Sequence, residues 1–330
     1  MKINILYQFT DNPWGGGNQF LKAIKKKFVK RNIYTNKISN ANVAIVNSHQ
    51  IPVQFFFIYL LKKNFKIIHR IDGPISLTRN SKFKYIDKTI HLFSKTFADG
   101  IVFQSKWSKE KNIKIGLDKN IRNTIINNAP DNNIFFKKKK INKSKKINII
   151  SSSWSSNIKK GFKFIKYLDD KLNFKKFNMI FVGNSPIEFK NIKVIPPVKS
   201  KKLSKLLSKN DYFFTASRDD PCSNSLLEAL SCGLIPIYID SGGHKEITNN
   251  QGIIFKNKKD LIKKLKNLSR YRQSKNIKID FIDIENKTND YLIFINKLKI
   301  NKINTAFKLM KILNFLFRII YLRLIYKFNF

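Results

Sequence analysis

Asp220 and Glu228 are the pair of carboxylates whose spacing could do chemistry in this sequence. Seven residues lie between them, and Ser223 falls among those seven as a helix N-cap type. Asp220 sits in a polar loop. The run Asn224 to Ser231 reads as a helix, stopped by Gly233. At ~1.5 Å rise per residue, Glu228 stands about one turn inside that helix. The loop therefore delivers one carboxylate, and the helix the other, to a helix N-terminus, where α/β folds bind phosphates. Both could face one cleft.

Two further groups have chemical potential. His69, Arg70 and Asp72 crowd before Gly73-Pro74, just past an apolar strand at Phe65 to Ile68. Strand C-terminal ends are the usual site edge of open α/β sheets. A satisfied His–Asp loop pair is the competing reading. Gly15, Gly16 and Gly17 lie between a first strand (Lys2 to Phe9) and a helix from Phe20 to about Lys30. Such a turn lets a phosphate or a sugar approach the backbone, or is a plain flexible turn. Its spacing is not the dinucleotide fingerprint, and no P-loop Lys-Ser/Thr follows.

Positioning these groups takes two runs of alternating strands and helices. The first has strands near Asn42 to Asn47, Phe65 to Ile68 and Ile101 to Gln104, with helical spacing over Ile51 to Leu61 and Ser81 to Phe97. The second has strands near Ile147 to Ser151, Asn178 to Val182, Ile192 to Ile195, Tyr212 to Thr215, Leu234 to Ile239 and Gly252 to Phe255. Between the runs, Lys137 to Lys146 holds seven lysines and one apolar residue, Ile141, and reads as a solvated linker. The expected organisation is residues 1–136, a linker at 137–146, residues 147–285, and a helical tail at 286–330.

Composition allows this. There are 330 residues, 42% hydrophobic with 29 Phe, enough for about two domains at ~100–200 residues each. The net charge of +44 comes from 65 Lys and Arg against 21 acids. It suggests nucleic acid or an anionic membrane as partner. Charge spread over every segment, and Lys dominating Arg, read instead as compositional bias, and no nucleic-acid motif is present. Cys222 and Cys232 flank one helix roughly 15 Å apart at ~1.5 Å per residue, beyond disulfide reach, which points to reduced thiols and a cytoplasmic chain. No run offers the ~18 uncharged apolar residues of a membrane span. No Asp-x-Asp pair occurs and the four His are dispersed, so no metal site is expected.

The tail has no acid after Asp290. At ~100° per residue, Asn304, Lys308, Lys311, Asn314 and Arg318 form one polar stripe on an otherwise apolar, aromatic helix. Residues 300–330 suit an interfacial helix on an anionic membrane. The alternative is a helix packed on the body or on a second subunit.

In their order, these motifs resemble the family-4 glycosyltransferases, retaining enzymes of the GT-B fold, over roughly residues 1–290. Leu226-Leu227-Glu228-Ala229-Leu230-Ser231-Cys232-Gly233-Leu234-Ile235-Pro236 is similar to the family's Glu-containing helix and its exit. The resemblance implies an α/β architecture of two Rossmann-like domains facing a cleft, plus the helical tail. It implies that Glu228 holds the nucleotide ribose, and that Asp220, standing where the family has Glu, serves the sugar end. Backbone N–H groups of Ser225 and Leu226 would meet the diphosphate. Lys160, in Lys160-Gly161, resembles the family's diphosphate lysine. Gly16 and Gly17 resemble its first glycine loop, and His69, with Asp72 close by, a His near the sugar. Ser241-Gly242-Gly243-His244-Lys245-Glu246 resembles the Gly-Gly…Glu loop. Ser152-Ser153-Trp154-Ser155 stands where many members carry Gly-Arg. The implied activity is transfer of a hexose-type sugar from a nucleotide sugar to a glycan or lipid-linked acceptor, with retention and no cofactor, in cell-envelope polysaccharide synthesis at the inner face of the membrane. A relative of the same fold without transfer activity (an epimerase, a phosphorylase or a scaffold) is the alternative, with nucleic-acid binding behind it.

Overall fold

The structure, a computed structural model, describes residues 1–11, 16–138, 144–268, 282–299 and 303–328. Gly15 and the middle of the lysine-rich linker lie outside the described residues. The chain forms two compact units. One comprises Met1–Phe9, Ile24–Asn127 and Glu285–Phe330; the other comprises Thr10–Ala23 and Asn128–Ile284.

The first unit is built on five strands: β1 (Ile3–Leu6), β2 (Val43–Asn47), β3 (Lys66–Ile71), β4 (Gly100–Phe103) and β5 (Asn123–Ile125), hydrogen-bonded in that order. Every pairing is parallel. Parallel strands are covered on both faces, so β1 and β2 are buried at every residue. β5 was not legible in sequence because it is three residues long and only partly buried. The helices are α2 (Gln54–Leu61), α3 (Ile75–Thr78), α4 (Lys84–Phe97) and α5 (Lys106–Lys114), while α1 (Gly16–Lys30) belongs to the second unit up to Ala23 and to the first from Ile24. The expected helix over Ser81 to Phe97 is a 3₁₀ turn at Ser81–Phe83 followed by α4.

The second unit has six parallel strands: β6 (Ile147–Ser153), β7 (Phe177–Gly183), β8 (Lys193–Ile195), β9 (Tyr212–Thr215), β10 (Ile235–Ile239) and β11 (Ile253–Phe255). Their spatial order is β11-β10-β9-β6-β7-β8. The chain runs outward from β6 to one side and from β9 to the other, so the order reverses between β6 and β9. Ligands in open α/β sheets bind beyond the carboxyl ends of the strands at such a point. Its helices are α6 (Phe162–Lys171), α7 (Ser200–Ser208), α8 (Asn224–Ser231), α9 (His244–Ile247) and α10 (Lys258–Lys266). The helix read from sequence as Asn224 to Ser231 forms with those bounds, and Gly233 leaves it at φ 81°.

Two helices end the chain, α11 (Ile284–Lys297) and α12 (Thr305–Phe328). α12 packs on the first unit. Phe315 is buried against Phe56, Phe93 and Phe97, at ring distances of 5.8, 5.9 and 5.0 Å. Ile312 joins the same cluster. This corrects the polar stripe expected from periodicity. Lys308 is buried and its Nζ donates to the Lys62 carbonyl, and Lys311 is half-buried, while Asn314 and Arg318 are exposed. Burial of Phe315 rotates Lys308 inward, because the two lie on one side of the helix at ~100° per residue. Among the described residues no helix is long and apolar enough to cross a membrane.

Candidate active site

The carboxyl ends of β6 and β9 and the start of α8 enclose a cavity of about 230 Å³ in the second unit. Ser151 to Ser155 form its β6 wall, Thr215 and Ser217 its β9 wall, and Ser223, Asn224 and Ser225 its helix wall. Asp220, Glu228 and Lys160 all line it. The sequence pair is thus brought to one cavity.

Glu228 is nearly buried, and among the described residues its carboxyl has no hydrogen-bond or ion partner. Burial alone pushes it up to about 8. A carboxyl in this condition is stabilised by hydroxyl donors from a ligand. Asp220 is equally buried but opposite in sign. Burial acts to raise it, yet its contacts hold it below the usual carboxylate range. Lys160 Nζ lies 2.8 Å from Asp220 Oδ2, and the Ser217 hydroxyl donates to the same oxygen at 3.2 Å. Lys160 is half-buried and ends the 3₁₀ turn Ile158–Lys160, capped by the Asn157 side chain accepting from Lys159 N–H. Two carboxylates eight positions apart are therefore set to different states by different neighbours.

The first-turn N–H groups of α8 have no intrahelical acceptor. Ser225 faces the cavity, whereas the Leu226 side chain is fully buried, leaving only its backbone to act there. Ser223 is the N-cap residue, as expected, but its hydroxyl makes no cap bond. It lies 3.2 Å from Ser225 Oγ instead. That leaves the helix N-terminus open towards the cavity.

Gly16 opens α1 and lines the cavity; a Cβ there would lie 2.3 Å from Cβ of Asn224. The contact requires glycine. Gly17 has open space beside it. Gly242 takes φ 63°, where a Cβ would meet the Asp220 carbonyl at 2.2 Å, and the Gly243 N–H donates to that carbonyl at 2.9 Å. The second glycine loop thus wraps the backbone of Asp220. His244, next along, is fully buried, with Nδ1 3.1 Å from the Ile239 carbonyl. Sequence reasoning gave it no role, since its burial arises only from packing.

The first unit holds His69 and Asp72. His69 has no exposed surface. Nδ1 lies 2.8 Å from Ser94 Oγ and Nε2 2.7 Å from the Ser48 carbonyl, and the ring packs edge-on to Phe93. Burial pushes it down to about 4, so it is neutral at pH 7. Its surroundings are those of a satisfied core histidine. Asp72 is 41% exposed and pairs with the buried Arg70 at 3.1 Å. Its carbonyl accepts from Ser108 Oγ and Asn112 Nδ2.

Cys222 and Cys232 are both buried free thiols. Arg218 is exposed and borders a separate groove with Lys163 and Lys256, not the cavity. No group of three His, Cys, Asp or Glu suited to a metal ion occurs among the described residues.

Residues 130–280 match the family model described as glycosyl transferases group 1. A comparison with curated protein sequences finds no match. Among solved structures, Anabaena HepE in complex with UDP and glucose is similar with a TM-score of 0.69 at 13% identity, covering 90% of this chain and 100% of that one. Sucrose-phosphate synthase from Thermosynechococcus elongatus has a TM-score of 0.61 at 12% identity, covering 86% and 78%. TarM has a TM-score of 0.55 at 15% identity, covering 90% and 58%. At these identities the likeness is one of fold, and it is the GT-B fold.

Proposed function

We propose that this chain, whose residues 130–280 match the model of glycosyl transferases group 1, moves a sugar from a nucleotide sugar to a glycan or lipid-linked acceptor with retention. The observation that carries the reading is Glu228, a buried carboxyl without a partner among the described residues, facing a cavity at an open helix N-terminus. Its ionised form would accept the two ribose hydroxyls of the nucleotide. The N–H groups of Ser225 and Leu226 and the Lys160 cation would hold the diphosphate, and Ser152 and Ser153 offer hydroxyl donors beside it. Lys160 has three donors, so it can keep Asp220 while meeting a phosphate oxygen. Asp220 would serve the sugar hydroxyls.

In the reaction the anomeric carbon–oxygen bond breaks and its electron pair passes to the diphosphate. The acceptor hydroxyl oxygen bonds to the carbon on the face just vacated. Its proton passes to the departing phosphate oxygen, which keeps the configuration. Lys160 and the helix N-terminus stabilise the charge that develops. Asp72 is a candidate contact for the acceptor. His69 is given no proton to move, because both ring nitrogens are engaged. The expected place of the enzyme is cell-envelope polysaccharide synthesis at the inner face of the membrane, with α12 as its contact.

The relatives crystallised with UDP make uridine diphosphate sugars the first donors to test. Titration calorimetry with UDP-glucose and UDP-N-acetylglucosamine should show binding, and Glu228→Ala should weaken it by about 10- to 150-fold, the worth of hydrogen bonds to a charged group. No binding of any nucleotide sugar, with Glu228→Ala indistinguishable from wild type, would refute the reading. Epimerised donor without transfer would establish the non-transferring alternative.

A further inference from the structure

The first unit leaves two apolar stripes exposed on neighbouring helices. On α2 these are Val53, Phe57 and Leu61, with Phe57 64% and Leu61 76% exposed. Val53 is the N-cap residue, and the three are spaced four apart on one side. On α12 the side away from Ile312 and Phe315 carries Met310, Leu313, Phe317, Ile320 and Leu324, with Phe317 71% exposed. From Met310 to Leu324 no charged residue falls on that side at ~100° per residue. Arg318 and Arg323 flank it. A folded domain rarely leaves so much apolar surface on adjacent elements without a use for it.

Between the ends of these helices and α4 lies a polar cavity of about 150 Å³. Lys62, Lys63, Lys95, Lys308 and Lys311 line it, with Asp99 as its one acid. Lys62 and Lys308 donate to the carbonyls of Ala41 and Lys62. Asp99 Oδ2 accepts from the Ile67 N–H at 2.8 Å. Lys63 and Lys95 are exposed at the rim. Burial lowers Lys311 below the ordinary lysine value, an effect an anion would reverse.

We propose that this lysine-lined cavity binds the headgroup phosphate of an anionic phospholipid while the stripes of α2 and α12 lie in the bilayer interface. The inference rests on the membrane part of the function proposed above and adds to it a second helix and a defined headgroup site. Charge complementarity selects the occupant. A second copy of the chain would set lysine cluster against lysine cluster, in a protein of net charge +44. An anionic bilayer offers both a negative surface and an apolar layer.

The experiment is sedimentation of the full chain with vesicles of phosphatidylcholine, alone or mixed with phosphatidylglycerol. Lys63→Glu with Lys95→Glu should lower partition onto the mixed vesicles by at least about tenfold. Lys114→Glu with Lys119→Glu, an equal charge change elsewhere in the unit, should alter it less than about twofold. Phe57→Asp and Phe317→Asp should each weaken it. Circular dichroism and binding of a nucleotide sugar check that every variant is folded. Equal losses from both lysine pairs would overturn the headgroup site in favour of diffuse charge. Loss with Phe317→Asp but not with the Lys63 and Lys95 pair would leave the helix contact standing and remove the cavity from it. Absence of vesicle binding, with a dimer that Phe317→Asp dissociates, would overturn both and make the face a self-interface. Intact vesicle binding with no nucleotide-sugar binding would refute only the transferase reading.

Discussion

At Glu228 and Asp220 the protein sets two like side chains to opposite ionisation. Glu228 has burial alone, and Asp220 has Lys160 and Ser217. For Glu228 the folded value of about 8 exceeds the ordinary 4.5. Ionisation therefore opposes folding. Stability is full below pH 4.5 and falls as pH rises towards 8, by up to about 1.4 kcal/mol per pH unit. Glu228→Gln should flatten that decline in thermal unfolding between pH 5 and 8, leaving the variant more stable than wild type at pH 8. Its affinity for a nucleotide sugar should fall at the same time. Nucleotide affinity of the wild type should rise over the same range, because the ribose hydroxyls donate to the ionised form. A wild-type melting temperature as flat with pH as that of the variant would disprove the assignment of this titration to Glu228.

At the scale of the element, two N-caps of the same residue type differ in what they do. Ser105 caps α5, its Oγ accepting from the Ser108 N–H at 3.0 Å. Ser223 stands at the same place on α8 without that bond. Ser105→Ala should cost about 1 kcal/mol in urea unfolding, the usual worth of a cap. Ser223→Ala should cost only a few tenths, since its hydroxyl satisfies no backbone group. Equal losses would mean that the Ser223 hydroxyl does cap the helix in solution. The helix itself was legible from Asn224 to Ser231 because a polar start, an apolar face and Gly233 agree. The open N-terminus was not, because it depends on which way one hydroxyl turns.

At the scale of the whole molecule, the tail is part of a core. Phe315 and Ile312 cover Phe93 and Phe97. Phe315→Ala should destabilise the chain by about 3–5 kcal/mol, a large share of the ~5–15 kcal/mol that folded proteins hold. Deletion after Lys299 should therefore lower the melting temperature of the first unit, rather than leave a stable enzyme that merely loses its membrane contact. An unchanged melting temperature would show that the contact carries no weight. Periodicity found the helix and its charges but not its rotation, which Phe315 decides by filling the gap between α2 and α4.

By itself the sequence determined the alternation of strands and helices, the two runs, the helix that carries Glu228, and the neighbourhood of Asp220. These follow from local patterns of apolar residues, caps and glycines, which act over a few positions. Tertiary structure decided the rest. It put Lys160 on Asp220 across 60 positions of chain, and left Glu228 without a partner among the described residues. It closed both ring nitrogens of His69 in a core, and turned Lys308 inward. Each of those outcomes depends on which groups meet when the sheet and helices pack, and desolvation and ion pairing act through such meetings, whatever the distance along the chain.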